Sequence, residues 1–192
     1  MTQLPSADIE TRLVELAQNG DRNAFGELVR RHYQGVVMVV TRMCGDSGLA
    51  EDAAQEAFLR AWMNLPSYQP RSSLRNWLYR IAVNAALDML RRKPELALED
   101  EDAQMVTDQA PGPETSLIEK EQSALLQNAL LTLPEAARSV IVLREYGGLS
   151  YQEIANVLEV PIGTVMSRLN YARNRLRTIL AGQLLKTEKE YA

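Results

Sequence analysis

The sequence predicts an all-α protein made of two small helical domains joined by a flexible acidic linker. Three observations predict it. Apolar residues recur at helical spacing across residues 8 to 93, and no strand-type alternation is sustained anywhere. The periodicity lapses over residues 94 to 118, "PELALEDEDAQMVTDQAPGPETSLI", which hold seven acidic residues and no basic one. Helical spacing then resumes and ends in a short helix, a tight turn and a longer arginine-rich helix. The expected boundaries are 1–93 for the first domain, 94–118 for the linker and 119–192 for the second domain.

The first helix is short: Ile9, Leu13 and Leu16 share a face before "QNGD" stops it. A second opens near Asn23 and lines up Phe25, Leu28, Val29, His32, Tyr33, Val36, Val37, Val40 and Met43. Its "VVMVV" alone would suit a strand, but the longer periodicity around it favours helix. Two glycines in "CGDSG" end it. The third helix, "LAEDAAQEAFLRAWMNL", turns Ala54, Phe58, Ala61, Trp62 and Leu65 inward. Asp52, Gln55, Glu56 and Leu59, at i, i+3, i+4 and i+7, form its mostly polar opposite face. A two-proline loop, "PSYQPRSS", carries Tyr68 into the fourth helix, "SLRNWLYRIAVNAALDMLRRK". There Leu74, Trp77, Leu78, Ile81 and Ala85 build an apolar stripe. Asn76, Arg80, Asn84, Leu87 and Arg91 follow one another at spacings of 4, 4, 3 and 4 and share another face.

After the linker, Leu125, Leu126, Ala129, Leu130 and Leu133 restore the helical period from about Leu117. Pro134 opens a further helix, "PEAARSVIVLREYG", which Gly147 and Gly148 end. Ser150 and Glu153 then form an S-x-x-E capping box, and Ile154, Ala155 and Leu158 make the buried face of the short helix it starts. "EVP" is the turn. In the last helix the apolar positions Val165, Leu169, Ala172 and Leu176 are spaced 4, 3 and 4. This is a helix-turn-helix, whose second helix enters a major groove by its N-terminal end. Thr164, Met166, Ser167, Arg168, Asn170, Tyr171 and Arg173 are the candidates to touch base edges or phosphates.

Composition narrows the function class. A chain of 192 residues with 46% hydrophobic and 24% charged residues is ordinary for a folded protein. No apolar run reaches the roughly 18 residues of a membrane helix, so no membrane insertion is expected. The start "MTQLPSADIE" does not read as a secretory signal, and a single cysteine, Cys44, fits a reducing, cytoplasmic setting. The one histidine, His32, is embedded in an apolar face. No carboxylate cluster suits a metal and no glycine-rich phosphate loop precedes a helix, so no catalytic residue, cofactor or small-molecule substrate is expected. The net charge of −4 conceals a segregation. Residues 71 to 93 hold six basic groups and one acidic, whereas Arg168, Arg173, Arg175 and Arg177 share a stretch with no acid. Two basic patches flanking an acidic segment point to two contacts with a polyanion. An asparagine amide can pair with a base edge, arginines neutralise phosphates, and a loop tyrosine can stack on an unpaired base.

Three motifs, "DAAQEAFLRAW", "LRNWLYRIAVN" with "LDMLRRK", and "GLSYQEIANVLEVPIGTVMSRLNYARNRL", resemble those of the extracytoplasmic-function sigma factors in order and spacing, over about 150 residues. The resemblance implies a sigma domain 2 and a sigma domain 4 without the intervening domain of primary sigma factors. It implies that Asp52, Gln55, Glu56 and Leu59 grip the β′ coiled coil of core RNA polymerase, with the β flap as a second contact. It implies that the −10 promoter element is read as a single strand by Tyr68, Arg75, Asn76, Arg80, Asn84 and Arg91, with Asn84 at the base-reading position. The helix-turn-helix would read the −35 element, the linker would run through the RNA path of the polymerase, and an anti-sigma factor would cover the polymerase-binding faces. Met166 and Tyr171 depart from relatives that carry basic residues there, which leaves fewer charged contacts to the −35 element. A different class, a dimeric repressor with a ligand-sensing N-terminal half, would need a pocket-forming constellation and a dimer seam. The residues offer neither.

Overall fold

The computed structural model describes the chain at residues 6–70, 72–96 and 117–190, and no strand occurs among the described residues. Most of the acidic segment therefore lies outside the described residues. Helices α1 (Ser6–Gln18), α2 (Arg22–Cys44), α3 (Ser47–Asn64) and α4 (Leu74–Leu96) make the N-terminal half. Helices α5 (Leu117–Leu131), α6 (Glu135–Glu145), α7 (Tyr151–Leu158) and α8 (Ile162–Glu190) make the C-terminal half.

Local chemistry sets the helix ends. Asp21 caps α2 by accepting from the backbone N–H groups of Asn23 and Ala24, and Asp46 caps α3 by accepting from that of Leu49. Between them Gly45, at φ +73°, closes α2 in the left-handed region, as glycine does without strain. A single turn of 3₁₀ helix at Leu65–Ser67 leads from α3 towards α4.

Helices α2, α3 and α4 pack against one another, with α1 laid on α2. The inward face of α3 is a stripe of small residues: Ala50, Ala53, Ala54, Ala57 and Ala61. Ala82, Ala85 and Ala86 of α4 are buried in the same core, and α3 and α4 pack closely against each other. The bulky residues expected to face inward there lie to the side. Phe58 stacks on Tyr33 at 6.1 Å and Trp62 tilts against Phe25 at 4.9 Å, both half-buried. An aromatic ring would hold the helices apart, so the closest line of approach belongs to alanine. In the C-terminal half, Val140, Ile141, Val142 and Leu143 of α6 pack with Ile154 of α7 and with Val165, Leu169 and Ala172 of α8.

The apolar core is continuous through both halves. Tyr79 of α4, 5% exposed, sits where a Cβ at Gly35 would lie 2.7 Å from its hydroxyl and one at Gly147 would lie 3.2 Å from its ring. Leu131 packs over Gly45. Arg42 stacks on the ring of Tyr146 at 4.9 Å and donates to Gln127 Oε1 at 2.9 Å.

Candidate nucleic-acid and polymerase interfaces

The helix-turn-helix is built as its residues dictate. Ser150 Oγ accepts from the Glu153 N–H, and Glu153 Oε2 accepts from the Ser150 N–H at 2.8 Å, which closes the capping box at the start of α7. Glu159, at φ +54°, turns the chain from α7 towards α8. Val165, Leu169 and Ala172 are then buried against α6 and α7, which orients the rest of α8. Met166, Ser167, Asn170, Tyr171 and Arg173 are exposed, and Thr164 and Arg168 are half-buried. The outward face is thus mostly uncharged, with Met166 54% and Tyr171 51% exposed. Arg173 donates to Glu145 at 2.9 Å, and that bond is the main reason its pKa is raised.

The polar face of α4 is not open to solvent along its length. Asn84 is exposed and bonds to no other described side chain. Asn76 is only 6% exposed: its Nδ2 donates to Glu153 Oε1 at 3.0 Å, and its Oδ1 is buried without a partner. Arg80 pairs with Glu159 at 2.8 Å, and Arg75 lies 3.9 Å from Glu153. Arg91 lies 3.9 Å from Glu135. The residues the sequence grouped on one face therefore do share one, and most of it meets carboxylates of α6, α7 and the turn.

Tyr68 is 9% exposed in this arrangement. Its hydroxyl donates to the Ser72 carbonyl at 2.8 Å, its ring lies 4.9 Å from that of Trp77, and burial raises its pKa. It braces the loop here and offers no open stacking face. Gln18 reinforces that brace by donating to the carbonyls of Leu65 and Tyr68 at 3.0 and 2.8 Å. On α3, Asp52, Gln55 and Leu59 are exposed, whereas Glu56 accepts from Arg60 at 2.7 Å. Arg60 reaches on to Asp88 of α4 at 2.8 Å, and those two bonds raise its pKa. The patch extends to Met63, 76% exposed and one turn beyond Leu59, which the i+4 spacing could have revealed. The partners Glu135, Glu153 and Glu159 carried no such signal, because each reads locally as a helix-end or surface residue.

Among the described residues no group of three His, Cys, Asp or Glu side chains could hold a metal. His32 instead pairs with Glu10 of α1 at 2.9 Å. No helix there is long and apolar enough to cross a membrane.

Glu153 is the most perturbed of these groups. The Asn76 amide, then the backbone and hydroxyl of Ser150, hold its carboxyl at about 2. A carboxyl depressed on folding contributes stability above its unfolded pKa, and that contribution is lost as pH falls through the folded value. We predict that the stability difference between the wild type and Glu153→Gln, about 1 kcal/mol as for other helix caps, is constant above pH ~4.5 and vanishes towards pH ~2. Urea unfolding at several pH values measures it. A difference unchanged between pH 5 and pH 2.5 would contradict the role given to this carboxylate.

Residues 28–94 match the Sigma-70 region 2 family model and residues 123–176 match the model for Sigma-70, region 4. The RNA polymerase sigma-H factor of Pseudomonas aeruginosa is 37% identical over 176 residues, covering 87% of this chain and 91% of that protein. The ECF RNA polymerase sigma factor SigW of Bacillus subtilis is 36% identical, with coverage of 85% and 92%. The ECF RNA polymerase sigma-E factor of Escherichia coli is 39% identical, with coverage of 85% and 90%. Among solved structures, CnrH in complex with the cytosolic domain of CnrY superposes with a TM-score of 0.68 at 27% identity, covering 91% of this chain and 98% of that one. The sigma factor RpoE bound to the anti-sigma factor NepR from Bartonella quintana gives 0.69 at 25% identity, with coverage of 82% and 96%.

Proposed function

The chain belongs to the extracytoplasmic-function RNA polymerase sigma factors, initiation factors that bind core polymerase and direct it to promoters, and from that membership we propose how its residues share the work. Residues 1–93 act as sigma domain 2. Asp52, Gln55, Glu56 and Leu59 dock on the β′ coiled coil, with Met63 extending the patch. Arg75, Arg80 and Arg91 neutralise phosphates of the −10 strand, Asn84 reads an extruded base, and Asn76 and Tyr68 complete the pocket once uncovered. Residues 119–192 act as sigma domain 4, which meets the β flap and lays α8 in the major groove of the −35 element. There Thr164, Ser167, Asn170 and the arginines Arg168 and Arg173 make polar contacts, while Met166 and Tyr171 make apolar ones. The acidic segment 94–118 links the two. The protein carries no chemistry of its own, uses no cofactor, works in the cytoplasm and is held in check by an anti-sigma factor, a reading supported by the similarity to RpoE, which is solved in complex with the anti-sigma factor NepR.

One observation carries the DNA-reading part. The face of α8 that packing leaves free is the one bearing Met166, Ser167, Asn170 and Tyr171, at the helix end a groove would receive. On α4, Asn84 is exposed and bonds to no other described side chain, and alanine there should lower run-off transcription about 10- to 100-fold while binding to core polymerase stays unchanged. Transcription from a library randomised across the −10 element checks it. A library preference identical in wild type and Asn84→Ala would sink the base-reading role.

A further inference from the structure

We infer that α8 reads an A·T pair of the −35 element through Asn170 and Tyr171, with Asn174 and Arg177 as positioning residues that fix the Asn170 amide. This rests on the reading of α8 given above and names the bases which that reading leaves open. The buried positions Val165, Leu169 and Ala172 set the inward direction of the helix. At about 100° per residue, the opposite side is a crest of Gly163, Ser167, Asn170, Tyr171 and Asn174, all exposed and none charged. Arg168 and Arg175 lie on one flank and Arg173 and Arg177 on the other, roughly 70° to 110° round from the crest.

That distribution divides the work. Guanine is read most often by an arginine fork laid on O6 and N7, and no arginine occupies the crest. Two of the four are also engaged within the protein, Arg173 with Glu145 at 2.9 Å and Arg177 with Asn174 at 3.1 Å. Charges on both flanks suit the phosphates of the two groove walls, and the floor of the groove is left to the crest. Ser167 donates its hydroxyl proton to the Thr164 carbonyl at 3.0 Å, so it brings no donor to a base.

Asn170 does, and its amide is ordered from behind. Arg177 donates to Asn174 Oδ1 at 3.1 Å, and Asn174 Nδ2 donates to Asn170 Oδ1 at 3.2 Å. The relay sets which way round each amide lies, because only an oxygen can accept these bonds. Asn170 Nδ2 keeps no partner among the described residues and is free to donate to adenine N7, while the second lone pair of Oδ1 accepts from N6. Guanine would set its O6 against that oxygen, acceptor against acceptor. Tyr171, 51% exposed, lies across the crest from Asn170. In the major groove of an A·T pair the thymine methyl lies across from adenine N7 and N6, so ring and amide match the two ends of one pair.

The test uses holoenzyme, the full chain bound to core RNA polymerase, to select duplex promoters from a library randomised across the −35 region. The preferred duplex is then remade with 7-deazaadenine at single adenines, which removes N7, and with deoxyuridine at single thymidines, which removes the methyl. Wild type should lose about five- to tenfold in affinity at one adenine and about two- to fourfold at the thymine paired with it. Asn170→Ala should bind the natural and 7-deaza duplexes equally, and Tyr171→Ala the thymidine and deoxyuridine duplexes equally. Asn174→Ala and Asn174→Asp both remove the amide donor and should at least halve the discrimination at adenine, which Asn174→Gln should restore. Arg175→Ala should weaken every duplex by the same factor. A library with no −35 preference would overturn the reading of α8 itself. A preference for guanine, or a preferred duplex indifferent to both analogues, would overturn the A·T assignment and leave α8 in the groove. Unchanged discrimination in Asn174→Ala would overturn the relay.

Discussion

Arg138→Ala should lower folding stability by about 3–5 kcal/mol, the largest effect expected from a single substitution away from the DNA-reading faces. Arg138 is 8% exposed, and its guanidinium donates to three carbonyls: Met43 at 2.8 Å, Leu131 at 3.1 Å and Leu133 at 3.1 Å. Met43 lies in the last turn of α2 and Leu131 ends α5, so one cation satisfies orphan carbonyls of two helices from opposite halves. Burial lowers its pKa, and the charge of nearby Glu135 offsets that only in part. Truncation leaves those carbonyls buried without a donor, and each costs about 1–3 kcal/mol. Thermal unfolding should show a fall of roughly 10 °C for a chain of this size. Arg138→Lys, which keeps the charge but cannot reach three carbonyls in fork geometry, should recover less than half of the loss. A midpoint within 2 °C of wild type for the alanine variant would refute the double-cap role.

Gly147→Ala should cost about 2–4 kcal/mol, whereas Gly148→Ala next to it should cost about 1–2 kcal/mol. The difference follows from two unlike reasons for glycine in one turn. A Cβ at Gly147 would lie 2.7 Å from the Leu143 carbonyl oxygen and 3.2 Å from the Tyr79 ring. That carbonyl cannot simply yield, because it accepts from the Leu149 N–H at 3.2 Å and closes the end of α6. Gly148 has open space around it but sits at φ +68°, where a side chain meets only its own backbone. Urea unfolding of both variants should rank them in that order. Equal losses would show that backbone conformation alone explains the pair.

Much of the fold was legible because it is written in short-range chemistry. Apolar spacing marked the helices, Gly45 and the Gly147–Gly148 pair marked ends, and Ser150 with Glu153 marked the start of α7 three residues apart. The exposed side of α8 was legible for the same reason: once Val165, Leu169 and Ala172 are known to face inward, helical geometry places Met166 and Tyr171 outward. The inward face of α3 was less so. Five alanines carry a weaker apolar signal than Phe58 and Trp62, and only the close approach of α4 selects them.

The state of the α4 face could not be read from the chain. Its stripe of Asn76, Arg80, Asn84 and Arg91 is a local fact, set by 3.6 residues per turn. What the stripe touches is decided 77 residues away for Asn76 and Glu153, across an acidic segment whose pattern says nothing of distance. Tyr68 shows the same limit, since an aromatic in a proline loop suits stacking on a base as well as bracing against Trp77. The sequence by itself determined the helices, the capping box, the outward side of the recognition helix and the segregation of charge. Only the tertiary structure decided that the basic face of one half lies against the carboxylates of the other. Covalent spacing governs contacts within a turn or two of helix, whereas packing of apolar seams brings together groups that no local period relates.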